Sequence, residues 1–552
     1  MRISRLVPAV LAMMLGAQAF ASRGVLTPDG VSYLDLARAV RDGQWSRFIN
    51  GYWSPLYPLL ISAIAPALPD RFGLLLSLHL LNAAVLAGAV VAVAWSARAV
   101  RPVELRWLAP LAVGGLMVAF DLVSATSPDA LLALLATLVA VNFARHPGAL
   151  MTRGVLYALM YLDKTSTLPW LVFVCSLELI RARQDGTSWR VWRLTVPVAA
   201  VVLAWLGALS FVENRVTAGS TASLNWEWYG WGIRSRFPDT DPAGHRAYSY
   251  PALSAALAPG TAPEGAETVR LAEFGPTTAT YLPWADPARW SRGRIPLDSA
   301  QANPVLLALE RGAVNLWMNG LAVLGWSFAT LVLIACWWPQ RTSTAGGWAW
   351  TSPGAWLVGS GVVGTAIMCL VHVERRLVLP WLVLLVLGAL MTYERPVTKK
   401  KAEAARVWRW PAGVRVVAVA AVAISSAALA GAAFRKDRLE SQRAVQREAA
   451  RAVDGAAMSA SDSSVVLVGP ATALIPELWL HGRRVEAQLV DAAFAARPDA
   501  DRQAILGFLA QRYRGRAGSM WVINRRSAGV ERRAAGPDIT TYVDVVNIVK
   551  IE

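Results

Sequence analysis

Four short stretches of this sequence carry groups that can move protons or hold anions. The first is "TPDGVSYLDLARAV" (27–40), which follows the first apolar run and places an acid at Asp29. A carboxylate there can take a proton from an incoming hydroxyl or amine. It can also cap the helical pattern that follows, because Asp is a favoured N-cap. On the residues alone the cap is the simpler reading, and Asp35, inside the pattern, reads as a solvated face residue. The second stretch is "ATSPDALLAL" (125–134), where Ser127 or Asp129 again reads as the cap of an apolar helix. The third is "YLDKTS" (161–166). Its Lys164 can hold a phosphate from a tight turn, or snorkel from a helix to the interface. The fourth is "VHVERRLVLP" (371–380), with Glu374, Arg375 and Arg376 at the mouth of an apolar run. An anionic lipid headgroup or pyrophosphate would explain arginines there. A Glu374–arginine surface pair is the alternative, and such pairs contribute little.

These groups need elements that bring them together. The chain has 552 residues, 55% of them hydrophobic and only 16% charged, with a mean hydropathy of +0.40. That balance indicates a polytopic, α-helical membrane protein. "MRISRLVPAVLAMMLGAQAFAS" fits a cleaved signal peptide or, the favoured reading, an uncleaved first span. Further crossing-length runs lie near 72–97, 107–125, 128–144, 194–212, 312–337, 353–371, 377–392 and 411–433. The stretch 154–180 is either one helix with Asp163 and Lys164 at mid-membrane or two short helices joined by "DKTST". A charge pair inside a bilayer is costly. Splitting the stretch also puts the basic clusters Arg98/Arg101/Arg106, Arg145/Arg153 and Arg181/Arg183/Arg190/Arg193 on the same side as Lys399–Lys401, Arg406 and Arg409. The positive-inside bias therefore favours the split, with about eleven spans, the amino end inside and the carboxyl end outside. In that topology all four stretches reach the outer face.

The first of three external segments, 23–71, sets Tyr33, Leu36, Ala37 and Val40 on one helical face. It follows with "PLYPLLISAIAPAL", too short to cross, and both pieces read as helices lying in the interface plane. The second segment, 213–310, is rich in aromatics, in "NWEWYGWGIRSRF" and "YLPWADPARW", that suit sugar rings or interface anchoring equally. The tail, 434–552, mixes helical and strand-like runs and reads as a small soluble α/β domain beyond a transmembrane part, 1–433. Cys175, Cys336 and Cys369 all lie in apolar runs, with no CxxC, and the histidines are scattered without a local zinc pattern. The net charge of +17 is accounted for by inner-face loops beside anionic lipid. No nucleic-acid motif accompanies it.

At this point the residues match a known pattern. "TPDGVSYLDLARAVRDGQW…NGYWSPLYPLLI" resembles the first external loop of GT-C fold glycosyltransferases, of the dolichyl-phosphate-mannose–protein mannosyltransferase and lipid A aminoarabinose transferase type. "RGVLYALMYLDKTSTLPWL" is similar to their fifth and sixth spans, and "HVERRLVLPWLVLLVLGAL" to a late span. The resemblance runs over roughly 1–395. It implies sugar transfer from a polyprenyl-phosphate carrier to a glycan, lipid or protein acceptor at the outer, periplasmic or lumenal face, and the arginine- and alanine-rich composition points to a bacterial inner membrane. By position the resemblance makes Asp29 the base or acceptor-positioning group, and Lys164, Arg375 and Arg376 the carrier-phosphate contacts. Tyr33, Tyr52, Trp53, Asp129 and Glu374 complete the candidate substrate contacts. No cofactor is fixed by it, and a divalent metal stays open. Two departures stand out: many members carry a second acid beside the first, where this chain has Gly30, and the familiar Arg-Tyr of the late motif reads Arg375-Arg376. The competing classes are a lipid-linked saccharide transporter or flippase, and a non-catalytic cell-envelope scaffold.

Overall fold

Long runs of Leu, Val and Ala form helices because in an apolar medium every backbone N–H and C=O must find its partner within the segment. The structure, a computed structural model, describes residues 3–64, 71–98, 105–184, 186–221, 247–249, 270–273, 353–371, 375–392, 464–468, 484–490, 520–525 and 546–551, with single positions 500, 503 and 507. Its helices are α1 (Ile3–Ala21), α2 (Pro28–Arg41), α3 (Trp45–Phe48), α4 (Leu56–Ile64), α5 (Arg71–Ala97) and α6 (Leu105–Ala119), followed by α7 (Asp129–Arg145), α8 (Leu150–Asp163), α9 (Leu168–Gln184) and α10 (Trp192–Val212). Among the described residues two more follow, α11 (Pro353–Val371) and α12 (Arg375–Thr392). Among the described residues, three helical stretches are long and apolar enough to cross a membrane: Gly73–Ala97, Thr165–Gln184 and Ser188–Val212. Shorter apolar stretches lie at Leu6–Ala21, Ala109–Ala119, Gly354–Met368 and Arg376–Gly388. The expected spans at 312–337 and 411–433 lie outside the described residues.

The helices pack around α5, which contacts α1, α6 and α7, while α12 packs on α11, α7 and α6. Small residues set the closest approaches, as they do between helices in membranes. A Cβ at Gly154 of α8 would meet the Leu194 backbone of α10, and one at Gly364 of α11 would overlap the Trp381 ring of α12. Trp381 also lies against Trp170 of α9, with ring centroids 5.0 Å apart. The Trp170 indole N–H donates to the Ser360 carbonyl of α11 at 3.0 Å. Three helices thus meet on two fully buried tryptophans. At the start of α8, buried Arg153 ion-pairs with Glu178 of α9. It also donates to the Asn142 side chain and the Pro147 carbonyl, so a charge inside the bundle is fully matched.

Two apolar runs are interrupted, one as expected and one not. The stretch 154–180 breaks at Lys164, where α8 ends and a 3-10 turn, Thr165–Thr167, leads into α9. This is the split expected from the charges. The run 107–125 stops being helical after Ala119. The chain turns at Asp121, whose φ is +52°, and the Ser124 hydroxyl donates to the Asp121 carboxylate. Helix α2 is also more enclosed than one amphipathic stripe predicts. Tyr33, Leu36 and Ala37 are buried as expected, but so are Val31, Ser32, Leu34 and Ala39, and α4 and α3 pack against it. Asp35, expected on a solvated face, is half-buried.

The remaining described elements form one six-stranded sheet, in the order β1 (Ala247–Ser249), β2 (Arg270–Glu273), β4 (Arg484–Val490), β3 (Ser464–Val468), β5 (Met520–Arg525), β6 (Val546–Ile551). The centre is parallel, with β3 paired to both β4 and β5, and both edges are antiparallel. Strand β2 pairs with β4, Arg270 opposite Val490. The segment 213–310 and the tail therefore share a sheet.

The contact at Gly364 gives a direct test of the packing. Gly364→Val should lower the thermal midpoint of the purified protein, at a cost of about 1–3 kcal/mol for overpacking. Gly359→Ala, in the same helix with nothing within 4 Å of the added carbon, should leave the midpoint unchanged in the same scanning-fluorimetry series.

Candidate functional site

All four chemistry-bearing stretches converge. Arg376, in the first turn of α12, places Nη1 2.7 Å from Asp29 Oδ2. Its Nε lies 3.9 Å from Asp129 Oδ2. Lys164, at the break after α8, pairs with the other Asp129 oxygen at 2.5 Å. The result is an alternating chain, Lys164–Asp129–Arg376–Asp29, drawn from the starts of α2, α7 and α12 and the end of α8. Asp129 is buried at 1% exposure, whereas Asp29, Lys164 and Arg376 keep 17%, 20% and 27%. Asp129 is therefore the floor, and the other three are the groups a ligand can reach.

Helix termini favour this arrangement. Both acids sit in the first turn of a helix and Lys164 at the last, which suits the helix dipoles. The caps are not the ones the sequence suggested. Thr27 caps α2, its hydroxyl accepting from the Gly30 N–H at 3.2 Å, so Asp29 is left to face Arg376. Pro128 holds the N-cap position of α7 with no side-chain cap bond. Ser127 instead donates to Asp129 Oδ2 at 2.8 Å. Lys164 does not snorkel, because the nearer Asp129 carboxylate takes its ammonium.

Gly30 explains one departure from the resembled pattern. A Cβ there would lie 2.7 Å from the Thr126 Cβ and 2.8 Å from Leu26 Cδ1. The loop before α7 runs directly against the start of α2, and a second acid beside Asp29 has no room.

The aromatic residues gather behind Asp29. Tyr33 makes edge contacts with Trp53 and Tyr57, centroids 5.0 and 5.4 Å apart, and Trp53 with Tyr52 at 4.8 Å. Tyr33 and Trp53 are buried, so they pack against each other, and Tyr52 alone is half-buried. Burial first, then the Asp129, Asp29 and Asp163 carboxylates, hold the Tyr33 phenol well above its usual range. It remains a neutral group behind the charges. The loop carrying Tyr52 and Trp53 is fixed from three sides. The Asn50 side chain accepts from both of their N–H groups, Ser54 accepts from the Thr165 N–H, and the Thr221 hydroxyl donates to the Tyr52 carbonyl. Arg375 opens α12, and Glu374 lies outside the described residues, as do the aromatic stretches 225–237 and 281–290.

Sequence reading missed the polar groups that hold this frame. His79 of α5 is buried, with Nδ1 2.8 Å from the Val123 carbonyl and Nε2 3.0 Å from the Val25 carbonyl. One turn on, Asn82 donates to the Ala125 carbonyl at 2.7 Å and accepts from the Tyr57 hydroxyl. One face of α5 thus ties the loop before Asp29 to the loop before Asp129. Two polar residues three apart in an apolar run were the available signal. Asp163 was also passed over. It is fully buried, and neither carboxylate oxygen has a hydrogen-bond partner among the described residues. Among the described residues, no three His, Cys, Asp or Glu side chains group to hold a metal ion.

No family model and no curated protein matches this sequence. The chain is similar to two crystal structures of ArnT from Cupriavidus metallidurans. One is bound to undecaprenyl phosphate, with a TM-score of 0.39 and 12% identity over 94% of this chain and 92% of that chain. The other is in the apo state, with a TM-score of 0.38 and the same identity and coverage.

Three substitutions test the frame. Asp129→Leu strands Lys164 and should cost about 3–5 kcal/mol, whereas Asp29→Asn, at the open side, should leave the unfolding midpoint near that of the wild type. Gly30→Ala should be destabilising by about 1–3 kcal/mol, because α2 or the Thr126 loop has to move. Thermal unfolding of the three variants separates these outcomes.

Proposed function

We propose that this chain is an integral membrane glycosyltransferase that passes a sugar from a polyprenyl-phosphate carrier to an acceptor. The observation that carries the reading is the alternating chain Lys164–Asp129–Arg376–Asp29, with its two cations and one acid accessible and its second acid buried. The sequence resemblance to GT-C fold enzymes points the same way.

In this reading the carrier phosphate binds Lys164 and Arg376, competing with the carboxylates that pair with them. Asp129 keeps the two cations in place from below. Asp29, released from Arg376, takes the proton of the acceptor hydroxyl or amine. The acceptor atom then bonds to the anomeric carbon, the carbon–oxygen bond to phosphate breaks, and the bonding pair leaves with the polyprenyl phosphate. The cations stabilise the charge that grows on the leaving group. A single displacement inverts the anomeric centre.

The same reading places the site at the outer, periplasmic face of a bacterial inner membrane, in a chain of about eleven spans. A small extracytoplasmic α/β domain built on the described sheet follows. The acceptor is a glycan, lipid or protein. Metal dependence enters as an assay variable.

The test is sugar transfer in membranes from radiolabelled polyprenyl-phosphate sugars, with and without a chelator. Asp29→Asn should lower the transfer rate by about 10²–10⁴-fold at unchanged expression, and Arg376→Gln should raise the KM for the lipid donor. Transfer by Asp29→Asn equal to the wild type would remove Asp29 from the mechanism. Retention of the anomeric configuration would overturn the single displacement.

A further inference from the structure

Three arginines lie over three exposed tryptophans at the end of the bundle away from the candidate site. The site occupies the start of α7 and the end of α8. Helix α7 has 17 residues, about 25 Å of length, so its last residue, Arg145, marks the far end. There the Arg145 guanidinium sits 4.4 Å from the Trp95 ring centroid, and its Nη2 donates to the Trp95 carbonyl at 2.6 Å. At the start of α10, Arg190 lies 4.8 Å from the Trp189 ring and Arg193 5.6 Å from the Trp192 ring. The three tryptophans are 45%, 62% and 49% exposed. Arg183, in the last turn of α9, is exposed at the same end. Among the described residues of α5 and α7–α10, Glu178 is the carboxylate nearest this end, and it is buried against Arg153.

Exposed tryptophan beside apolar helices belongs at headgroup depth. Arg145 already spends Nη2 on the Trp95 carbonyl, whereas exposed Arg190 and Arg193 each have one guanidinium face against an indole and an N–H edge toward solvent. That edge matches two phosphate oxygens, a fit that lysine lacks. Stacking also fixes the arginine before a ligand arrives, which reduces the entropy cost of binding. The pairs therefore differ from a merely charged surface: each sets an arginine against an apolar plate at headgroup depth, and Arg190 and Arg193 present an exposed phosphate fork there.

We propose that this rim binds anionic phospholipid headgroups, with the three arginine–tryptophan pairs as their phosphate sites. The proposal is independent of the reaction assigned to the opposite end.

The experiment uses the full chain in nanodiscs of phosphatidylcholine alone and with phosphatidylglycerol added. Retained lipid is read by native mass spectrometry and the unfolding midpoint by fluorimetry. The wild type should retain phosphatidylglycerol preferentially and gain midpoint from it. R145Q/R190Q/R193Q should lose the preference by about fivefold per arginine removed, and the corresponding lysine variant should recover only part of it. An unchanged midpoint in phosphatidylcholine shows that the glutamine variant is folded. If it is not, the exposed pair R190Q/R193Q carries the same comparison. Equal phosphatidylglycerol retention by wild type and glutamine variants would overturn the proposal. So would stabilisation by inorganic phosphate in phosphatidylcholine discs equal to that given by the lipid.

Discussion

The buried Asp129 carboxylate is the constraint on which the site depends. An ion removed from water must be matched by charge and hydrogen bonds or it destabilises the fold. Asp129 is matched by Lys164 and Ser127, with Arg376 at longer range. Those partners fix three things at once: where α8 has to break, which loop precedes α7, and where α12 begins. Asp29 then joins through Arg376 at the accessible edge. A cluster with equal numbers of opposite charges is balanced within itself, yet its outer members can exchange partners with an anionic ligand.

Around that cluster the chain uses two kinds of support. Toward the site, hydrogen bonds from α5 capture loop carbonyls, with His79 spanning Val25 and Val123, and Asn82 reaching Ala125. Deeper in the bundle, contact between large and small residues does the work, as where Gly364 admits the Trp381 ring. The two are not interchangeable. Loops carry unpaired backbone groups that need donors and acceptors, whereas helices have satisfied theirs and are free to approach as closely as their side chains allow. The Arg153–Glu178 pair closes the other end of the bundle by the same rule of matched charge.

Much of the local structure was legible in the residues. The split at Lys164 followed from the cost of a charge pair in apolar surroundings and the placement of basic loops. The helical pattern after Asp29 follows from its periodicity. The cap assignments were not legible, since Thr27, Ser127, Asp29 and Asp129 are all residue types that cap helices. Which one turns inward depends on what lies opposite, and the partner of Asp29 is Arg376, far along the chain. Gly30 is a similar case. Its reason is the Thr126 side chain of another loop, invisible to any reading of neighbours in sequence.

The sequence by itself determined that this is a helical membrane protein, that the run 154–180 breaks at Lys164, and which residue types can serve an anionic, lipid-carried substrate. Those are short-range consequences of hydropathy, periodicity and charge. Only the tertiary structure decided which acid is the floor and which is accessible, that a histidine inside α5 ties two loops together, and that the segment after α10 shares a sheet with the tail. Burial and ion pairing are relations between distant parts of the chain. Their energies depend on distance in space, which no local pattern encodes.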